Sequence, residues 1–539
     1  MRLITAKITV LIILCLNLNA QQPLSIRINI EKDTYNYNTI NLGNKGLIVF
    51  YEEKQNFSFT KCIFINAYNN LLEKKWSKEI KLPSVMDYAR HYYDTSAGKL
   101  YILLCRGNNI LTNNSFSAKK GNINILSVDI NDGKFTEQKN ILKQNTILQD
   151  FLVVDNKTYL FGNNYPSTAL FYANSILCFT LIPAFTGLNP FKIKPVIQYT
   201  DLSDAPQKNK YIGNTYFLKS DIENISDKKD LTTIIKNIKN KKKTTLIINQ
   251  LNNKSDRTET AIINIPADTT IIDVISLSSG DNLFITGSYC RYKRKKIVFN
   301  PLYNALSELS LSSEGLFFGK IKNNQSAIIK YYNYSDFKDF FSNIQNKNVK
   351  TIKLNKKKIN LNYRVLLHKP IVSNNENIVI AETYYPEYHT EYYWNTDIYG
   401  RTYREAIDIF DGFRYTHSLI AAFDTAANLL WHNYIDIGNI LTKELKERVI
   451  VSFDDKNILL AYSNEGKITT KIICKDKIIQ QKEVINTDKE FIKDANSGDL
   501  VSDMAHWYDN YYISYGYIKN SRASRQIYTT YYVNKLAFE

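Results

Sequence analysis

From Glu382 to His417 the chain reads ETYYPEYHTEYYWNTDIYGRTYREAIDIFDGFRYTH, a run of aromatic rings with interspersed carboxylates and arginines. Rings stack on the apolar faces of a sugar or peptide while charged groups hold its polar atoms, so this mixture suits a recognition platform. The candidate ligand-binding residues are Tyr384, Tyr385, Tyr392, Tyr393, Trp394, Tyr399 and Arg401. The same letters also suit a long β-hairpin whose rings pack on one another and on the rim of a sheet.

His389 and His417, with Glu387, Glu391, Asp397 and Asp408, are the side chains that could assemble an acid/base or metal site. A glycosidase needs two carboxylates about 5–10 Å apart, a distance that spacing along a chain does not supply. No HExxH or other metal spacing occurs, and His91, His368, His389, His417, His432 and His506 all stand apart. Each histidine therefore reads as a hydrogen-bonded structural residue. A nucleophile elbow, a phosphate-binding glycine loop and a dinucleotide fingerprint are all missing. Turns such as Asp129–Gly133 lack the acidic density of a calcium loop and read as hairpins. No catalytic residue, metal or cofactor is expected.

The elements that must carry this stretch follow one pattern. Lys or Asn precedes three or four apolar residues and then a small or polar one: KGLIVFY at Lys45, KLYILL at Lys99, KTYLFG at Lys157, NTYFLK at Asn214, NLFITG at Asn282, NIVIAE at Asn377, NILLAY at Asn457 and NYYISY at Asn510. Where nothing intervenes the period is roughly 55 residues, that of a four-stranded propeller blade with its loops. Each column is expected to be the second strand of a blade. Ile63–Trp76, Ile125–Phe135 and Leu419–Trp431 repeat a strand, turn and strand that fit the third and fourth. The expected fold is all-β, a β-propeller of about eight (seven to eight) four-stranded blades.

The last repeat ends at a third strand, RQIYTTYYVNKLAFE, whereas LSIRINIEK at Leu24–Lys32 is a strand without a blade. Pairing the two would complete the last blade and close the ring, removing two exposed edges. Three segments are expected to interrupt the rhythm as insertions, 221–243, 291–313 and 382–417. The first, with Leu231, Ile234, Ile235 and Ile238 at partly helical spacing, reads as a polar helix or loop. Ser335–Ile344 reads as a short helix capped by Ser335 or Asp336 that buries Phe337, Phe340, Phe341 and Ile344.

Residues 1–20 read as a signal peptide: Arg2 and Lys7, an apolar Ile8–Leu16, and Leu18-Asn19-Ala20 before the cut. Residues 21–539 then form a single propeller domain without a transmembrane segment, periplasmic or outer-membrane-associated, alternatively extracellular. Cys62, Cys105, Cys178, Cys290 and Cys474 are widely separated and fit small core residues better than a disulfide framework. Chain composition, 44% hydrophobic and 22% charged with 39 Tyr and 26 Phe, suits a folded, sheet-rich protein. The net charge of +17 gathers in lysine clusters at 236–243, 291–296 and 350–358. These fit solvated loop tips, with attraction to anionic surfaces, whether lipid headgroups (peripheral membrane association), acidic glycans or nucleic acid, as the functional reading. No nucleic-acid module is present, and a monomer is expected.

AAFDTAANLLW, Ala421–Trp431, resembles the repeat of quinoprotein-like eight-bladed propellers, A-x-D-x-x-T-G-K-x-x-W, in Ala422, Asp424 and Trp431, without its Thr-Gly-Lys turn. The resemblance implies that Trp431, and Trp76 in the first repeat, dock on a neighbouring blade. Enzymes of that superfamily use a quinone with calcium, and other members are scaffolds such as outer-membrane assembly factors. No adjacent-cysteine pair or calcium-ligand cluster of the enzyme branch is found here. More broadly, the NAQQ signal end, GLFFGKI (315–321), DGFRYTH (411–417) and WYDNYYISYGY (507–517) resemble uncharacterised exported propeller-like proteins of Bacteroidota. The functional expectation is a non-enzymatic propeller that binds or scaffolds a protein or glycan partner in the envelope or outside the cell. The alternatives are a carbohydrate-active or other hydrolytic enzyme with a site near 382–417, and a quinoprotein-like oxidoreductase.

Overall fold

Strands that are apolar on both faces must lie between two other layers. Leu47, Ile48, Val49 and Phe50, in the column at Lys45, are fully buried, whereas the outer strand of the same sheet, Lys74–Pro83, is mostly exposed. The computed structural model describes residues 24–30, 34–54, 59–106, 110–111, 115–118, 122–141, 146–154, 157–164, 194–201, 215–225, 228–239, 243–252, 257–279, 282–291, 313–322, 326–337, 364–373, 376–396, 399–438, 440–442, 445–454, 456–464, 467–486, 502–521 and 527–537. Among these the strands form eight antiparallel sheets, and the fold is a β-propeller.

Blade one is Thr34–Asn41, Leu47–Lys54, Thr60–Tyr68 and Lys74–Pro83, and blade two Met86–Asp94, Lys99–Arg106, Asn122–Asp129 and Phe135–Ile141. Blade three joins Thr146–Val154, Lys157–Asn164 and Lys194–Asp201 to the hairpin Ile110–Leu111 and Ser115–Ala118. Blade four is Thr215–Ile225, Lys228–Lys239, Lys243–Asn252 and Arg257–Ile265, and blade five Thr269–Ser279, Asn282–Arg291, Gly315–Lys322 and Ser326–Asn333. Blade six places Arg364–Leu367 and Ile371–Ser373 beside Glu376–Thr396, then Thr402–Phe423 and Leu429–Asp436, with Leu441–Thr442 also paired to Thr402–Phe423. Blade seven is Ile450–Asp454, Asn457–Asn464, Lys467–Cys474 and Lys477–Asn486. Blade eight is Ser502–Tyr508, Tyr511–Ser521 and Ile527–Ala537, with Ser25–Ile30 as its fourth strand.

Seven of the eight repeated columns are second strands; the one at Asn214 is the first strand of blade four. First strands of successive blades approach one another, as blade two's does blade three's and blade four's does blade five's. They are therefore the innermost strands. Six of them carry a bulge against the second strand, at Tyr35/Asn38, Tyr88/Arg90, Leu148/Asp150, Phe217/Lys219, Ile271/Asp273 and His506/Tyr508. A bulge sharpens local twist, which strands crowded around an axis require.

Neighbouring blades are tied where a fourth strand meets the next blade's turn between strands three and four. Trp76 Nε1 donates to Ile130 O at 3.0 Å, the Tyr332 hydroxyl to Ala427 O at 2.5 Å, and Asn433 Nδ2 to Lys475 O at 3.3 Å. Trp431 packs among Ile458, Leu460 and Ile473 of blade seven, although its N–H goes to Glu376 Oε2 of its own blade at 2.7 Å. The receiving turns hold one residue in the left-handed region: Leu72, Gly133, Ala427 and Lys475. That conformation costs an L-residue about 1–2 kcal/mol, which contacts from the adjoining blade offset.

The expected closure is present. Ser25–Ile30 runs antiparallel to Ile527–Ala537 with Ile26 opposite Val533, Lys535 N donates to Leu24 O at 2.9 Å, and Arg27 Nη1 to Asn534 Oδ1 at 2.8 Å. Blade eight grips blade one through Trp507 Nε1, which donates to Gly46 O at 2.9 Å, and through Tyr531 stacked on Tyr37.

Several expectations are corrected. Residues 221–243 are no insertion: Lys228–Lys239 is the second strand of blade four, with Ile234 opposite Ile248. The β-branched run TTIIKNI prefers a strand, and partners on both sides override the helix-like spacing. Tyr334–Asp336 is a single 3-10 turn capped by Asn333 rather than a helix from Ser335; it buries Phe337. Phe340, Phe341 and Ile344 lie outside the described residues, as do residues 1–20, Cys178, the lysine cluster at 350–358 and nearly all of 291–313. Cys62, Cys105 and Cys290 are buried, and Cys474 is half-buried. No helix among the described residues is long and apolar enough to cross a membrane.

Candidate functional site

Among the described residues, the second and third strands of blade six outrun every other pair. Glu376–Thr396 and Thr402–Phe423 stay in register out to Thr396 opposite Thr402. Their outer part projects as a two-stranded arm, and its eleven residues Pro386–Thr396 span about 35 Å at strand rise.

The arm begins later than expected. Glu382–Tyr385 and Phe413–His417 belong to the blade, Glu382 lying opposite Leu366 and Tyr384 opposite Arg364. Tyr384 is only 3% exposed and packs edge-on to Phe413 and against Tyr415, so it is a core residue and not a ligand platform. Burial pushes its hydroxyl pKa up to about 12, with Arg364 acting against the shift. Tyr385 is half-buried at the arm's root. Gly412 lets the arm leave the blade, because a Cβ there would stand 2.6 Å from Thr442 O. One bulge, Glu387 and Tyr388 facing Gly412 and Phe410, leaves Asp411 as the extra residue.

Alternation then gives the arm two unlike faces. Opposed residues share a face, so Trp394 lies with Arg404 and Tyr392 with Ala406, while Tyr393 lies with Glu405 and Asn395 with Tyr403. The first face carries Tyr392 and Trp394, with the Arg404 guanidinium 3.8 Å from the centre of the Tyr392 ring. The second carries the polar groups. His389 Nδ1 is 2.5 Å from Asp411 Oδ1, and its Nε2 is 3.2 Å from Glu391 Oε1. The Tyr393 hydroxyl donates to Glu391, and the Asn395 amide to Glu405. These hydrogen bonds, Glu391's ahead of Asp411's, hold the His389 pKa above its ordinary value, while the Tyr393 hydroxyl and His389 hold Glu391 below its own. At the base, Arg414 embraces Glu387 with two N–H groups.

Trp394 is 75% and Tyr399 77% exposed, and Tyr388, Tyr392, Tyr393 and Tyr403 are open as well. Arg401, beside Tyr399 at the tip, is exposed too. Of the seven candidates, Tyr392, Tyr393, Trp394, Tyr399 and Arg401 are thus on the free arm. Asp397 and the Asp408 side chain lie outside the described residues.

Under the arm lies a polar cluster with no signature in the sequence. Glu382 is fully buried, and its Oε1 accepts from Arg448 N at 2.8 Å and Val449 N at 2.7 Å while standing 2.6 Å from His368 Nε2. The Arg448 guanidinium reaches Asp503, Thr442 Oγ1 at 2.7 Å and Ser502 O at 3.3 Å. His417 Nδ1 sits 3.1 Å from Thr383 Oγ1 and 3.0 Å from Thr416 Oγ1. These groups come from blades six and eight and from the connection that leads into blade seven. Their only trace in the chain is Glu382 closing the apolar column NIVIAE. Glu382 has no open approach for a substrate, so the cluster acts as an inter-blade tie. Among the described residues no three His, Cys, Asp or Glu side chains converge to hold a metal ion.

No protein-family model matches the chain, and no curated protein does. Solved structures align with it faintly. A prolyl endopeptidase aligns at 8% identity and a TM-score of 0.33 over 89% of this chain and 54% of its own, so this chain spans about half that enzyme's length. The polysaccharide lyase Uly1 aligns at 8% and 0.37 over 96% and 100%. A cobalt-substituted apocarotenoid oxygenase of Synechocystis aligns at 7% and 0.28 over 53% and 61%. Likeness this slight transfers no side-chain chemistry to the present chain.

Proposed function

We propose that this chain is an exported, non-enzymatic binding propeller and that the arm of blade six is its recognition element. The observation that carries the reading is the arm itself: two strands held in register far beyond their blade, with rings turned to solvent on both faces. Exposing large rings next to one another has no folding benefit and is the mark of a contact surface. The partner is a component of the cell envelope or its surroundings, and Arg2, Lys7 and the apolar Ile8–Leu16 support export to reach it. The hydrolytic alternative has weaker support, since the carboxylate at the arm's root, Glu382, is buried and already bonded.

The test compares the wild-type protein with a Tyr392→Ala, Tyr393→Ala, Trp394→Ala triple variant for retention on isolated envelope fractions, after matching their melting temperatures. The triple variant is expected to lose most retention. Equal retention of the two proteins removes the arm from the function.

A further inference from the structure

We propose that the arm takes an extended, lysine- and arginine-rich polypeptide segment as its ligand, docked as an added strand along the ribbon. This rests on the arm being the recognition element, and it names what is recognised.

Charge selects the ligand. Between Pro386 and Arg414 stand six carboxylates, Glu387, Glu391, Asp397, Glu405, Asp408 and Asp411, against Arg401, Arg404 and Arg414 and no lysine. The arm is therefore net negative on a chain whose overall charge is +17. Arg414 pairs with Glu387 and also feels the charge of Asp411, whereas the hydrogen-bond partners of Glu391 and Glu405 among the described residues are Tyr393, His389 and Asn395. An anionic glycan or nucleic acid would be repelled here, and a neutral sugar would leave the surplus charge unused. Elsewhere the +17 body repels a cationic ligand, which confines such a ligand to the arm.

Geometry selects the mode. A two-stranded ribbon is at best marginally stable in water, and a third strand is what it lacks. Among the described residues, past Tyr384 towards the tip the strand Glu376–Thr396 pairs only with Thr402–Phe423, and from Gly412 towards the tip the latter pairs only with the former, so both outer edges of the arm offer backbone groups to an added strand. A bound segment that alternates cationic residues would set them along Glu391, Tyr393 and Glu405, between carboxylates and ring faces. On the arm's other face, Arg404 over Tyr392 already shows that an arm ring accepts a guanidinium in stacking contact.

The four tryptophans supply the readout, because Trp394 is exposed while Trp431 and Trp507 are buried and Trp76 is half-buried. The full-length protein is titrated with an alternating Lys-Thr dodecapeptide, and fluorescence is followed at low and at physiological salt. A saturable change is expected that weakens as salt rises and is absent in Trp394→Phe. The Glu391→Gln, Glu405→Gln variant is expected to bind about tenfold more weakly while melting like the wild type. An equal response to a Glu-Thr dodecapeptide overturns the proposal. So does saturable binding of a neutral oligosaccharide in place of the peptide, or self-association through the arm that the peptide does not displace. If the Lys-Thr peptide fails while the triple alanine variant still loses envelope retention, the cationic ligand is wrong and the recognition arm stands. If that variant is retained like the wild type, the arm reading itself falls.

Discussion

His368 Nε2 lies 2.6 Å from Glu382 Oε1, and both side chains are shut away from solvent. Burial by itself draws the His368 pKa down, but Glu382, through charge and hydrogen bond, and Glu447 raise it above its ordinary 6.5. The contribution of this pair is complete below pH 6.5 and is lost as pH rises through the raised value. His417 does the opposite: burial lowers its pKa to about 4, with Asp436 opposing. The unfolded chain takes up that proton first, so stability falls from pH 6.5 towards 4 by roughly 3 kcal/mol at most. Melting temperature is therefore expected to peak near pH 6.5, with His368→Gln flattening the alkaline limb and His417→Asn the acid limb. An alkaline limb that persists in His368→Gln would sink the assignment.

Arg448, in the connection leading into blade seven, and Asp503 of blade eight form a buried pair, and Lys446 also reaches Asp503. Asp503→Asn leaves the guanidinium inside without its counter-charge and is expected to cost about 3–5 kcal/mol in urea unfolding. Replacing both residues, Arg448→Met with Asp503→Leu, should recover most of that loss, because it removes the desolvation cost with the attraction. A single variant as stable as the wild type would mean that water reaches the pair.

Gly133 sits at φ +71 beneath Trp76, where a Cβ would come within 2.8 Å of the indole. Gly133→Ala is expected to cost about 2 kcal/mol, part backbone strain and part collision. Trp76→Phe, which removes the N–H donated to Ile130 O, should cost about 1 kcal/mol. In a Trp76→Ala background the collision disappears, and the Gly133→Ala penalty should shrink towards the strain alone. Strict additivity in this double-mutant cycle would refute contact between the two positions.

Closure predicts a second kind of failure. Ile26→Ala empties a buried site between the closing strand and blade one and should cost about 2–4 kcal/mol. Deleting Ser25–Ile30 frees the edge of Ile527–Ala537 and should produce concentration-dependent association in light scattering. A deletion variant that stays monomeric with an unchanged melting temperature would argue against ring closure by this strand.

Trp394 and Tyr384 belong to the same run of sequence and differ sharply in energetic role. Trp394→Ala should change stability by no more than about 0.5 kcal/mol, whereas Tyr384→Ala, in the core, should cost about 3–5 kcal/mol. Melting curves of the two single variants decide this directly.

The blade pattern was legible because sheet burial writes itself into local sequence. A strand enclosed between two layers has to be apolar throughout, and the turn after it needs residues that tolerate a sharp reversal. Hence the columns at Lys45, Lys99 and Asn457, the turns at Asp129 and Asp424, and the pairing of Leu24–Lys32 with the final strand could all be anticipated. Blade four could not, because TTIIKNI satisfies both periods over so short a run and only its partners, Thr215–Ile225 and Lys243–Asn252, decide between them.

By itself the sequence determined the strands of most blades and their order, blade four excepted, and that Leu24–Lys32 and the final strand must pair to remove their open edges. Only the tertiary structure decided which side chains share a site. His368, Glu382, Arg448 and Asp503 meet because blades converge on an axis, and alternation along an arm separates Trp394 from Glu391 although only two residues lie between them. Burial likewise distinguished Tyr384 from Tyr392, two tyrosines of one aromatic run. Backbone preference and hydrophobic period act between near neighbours, whereas charge pairing and exposure depend on distances that exist only after the ring has closed.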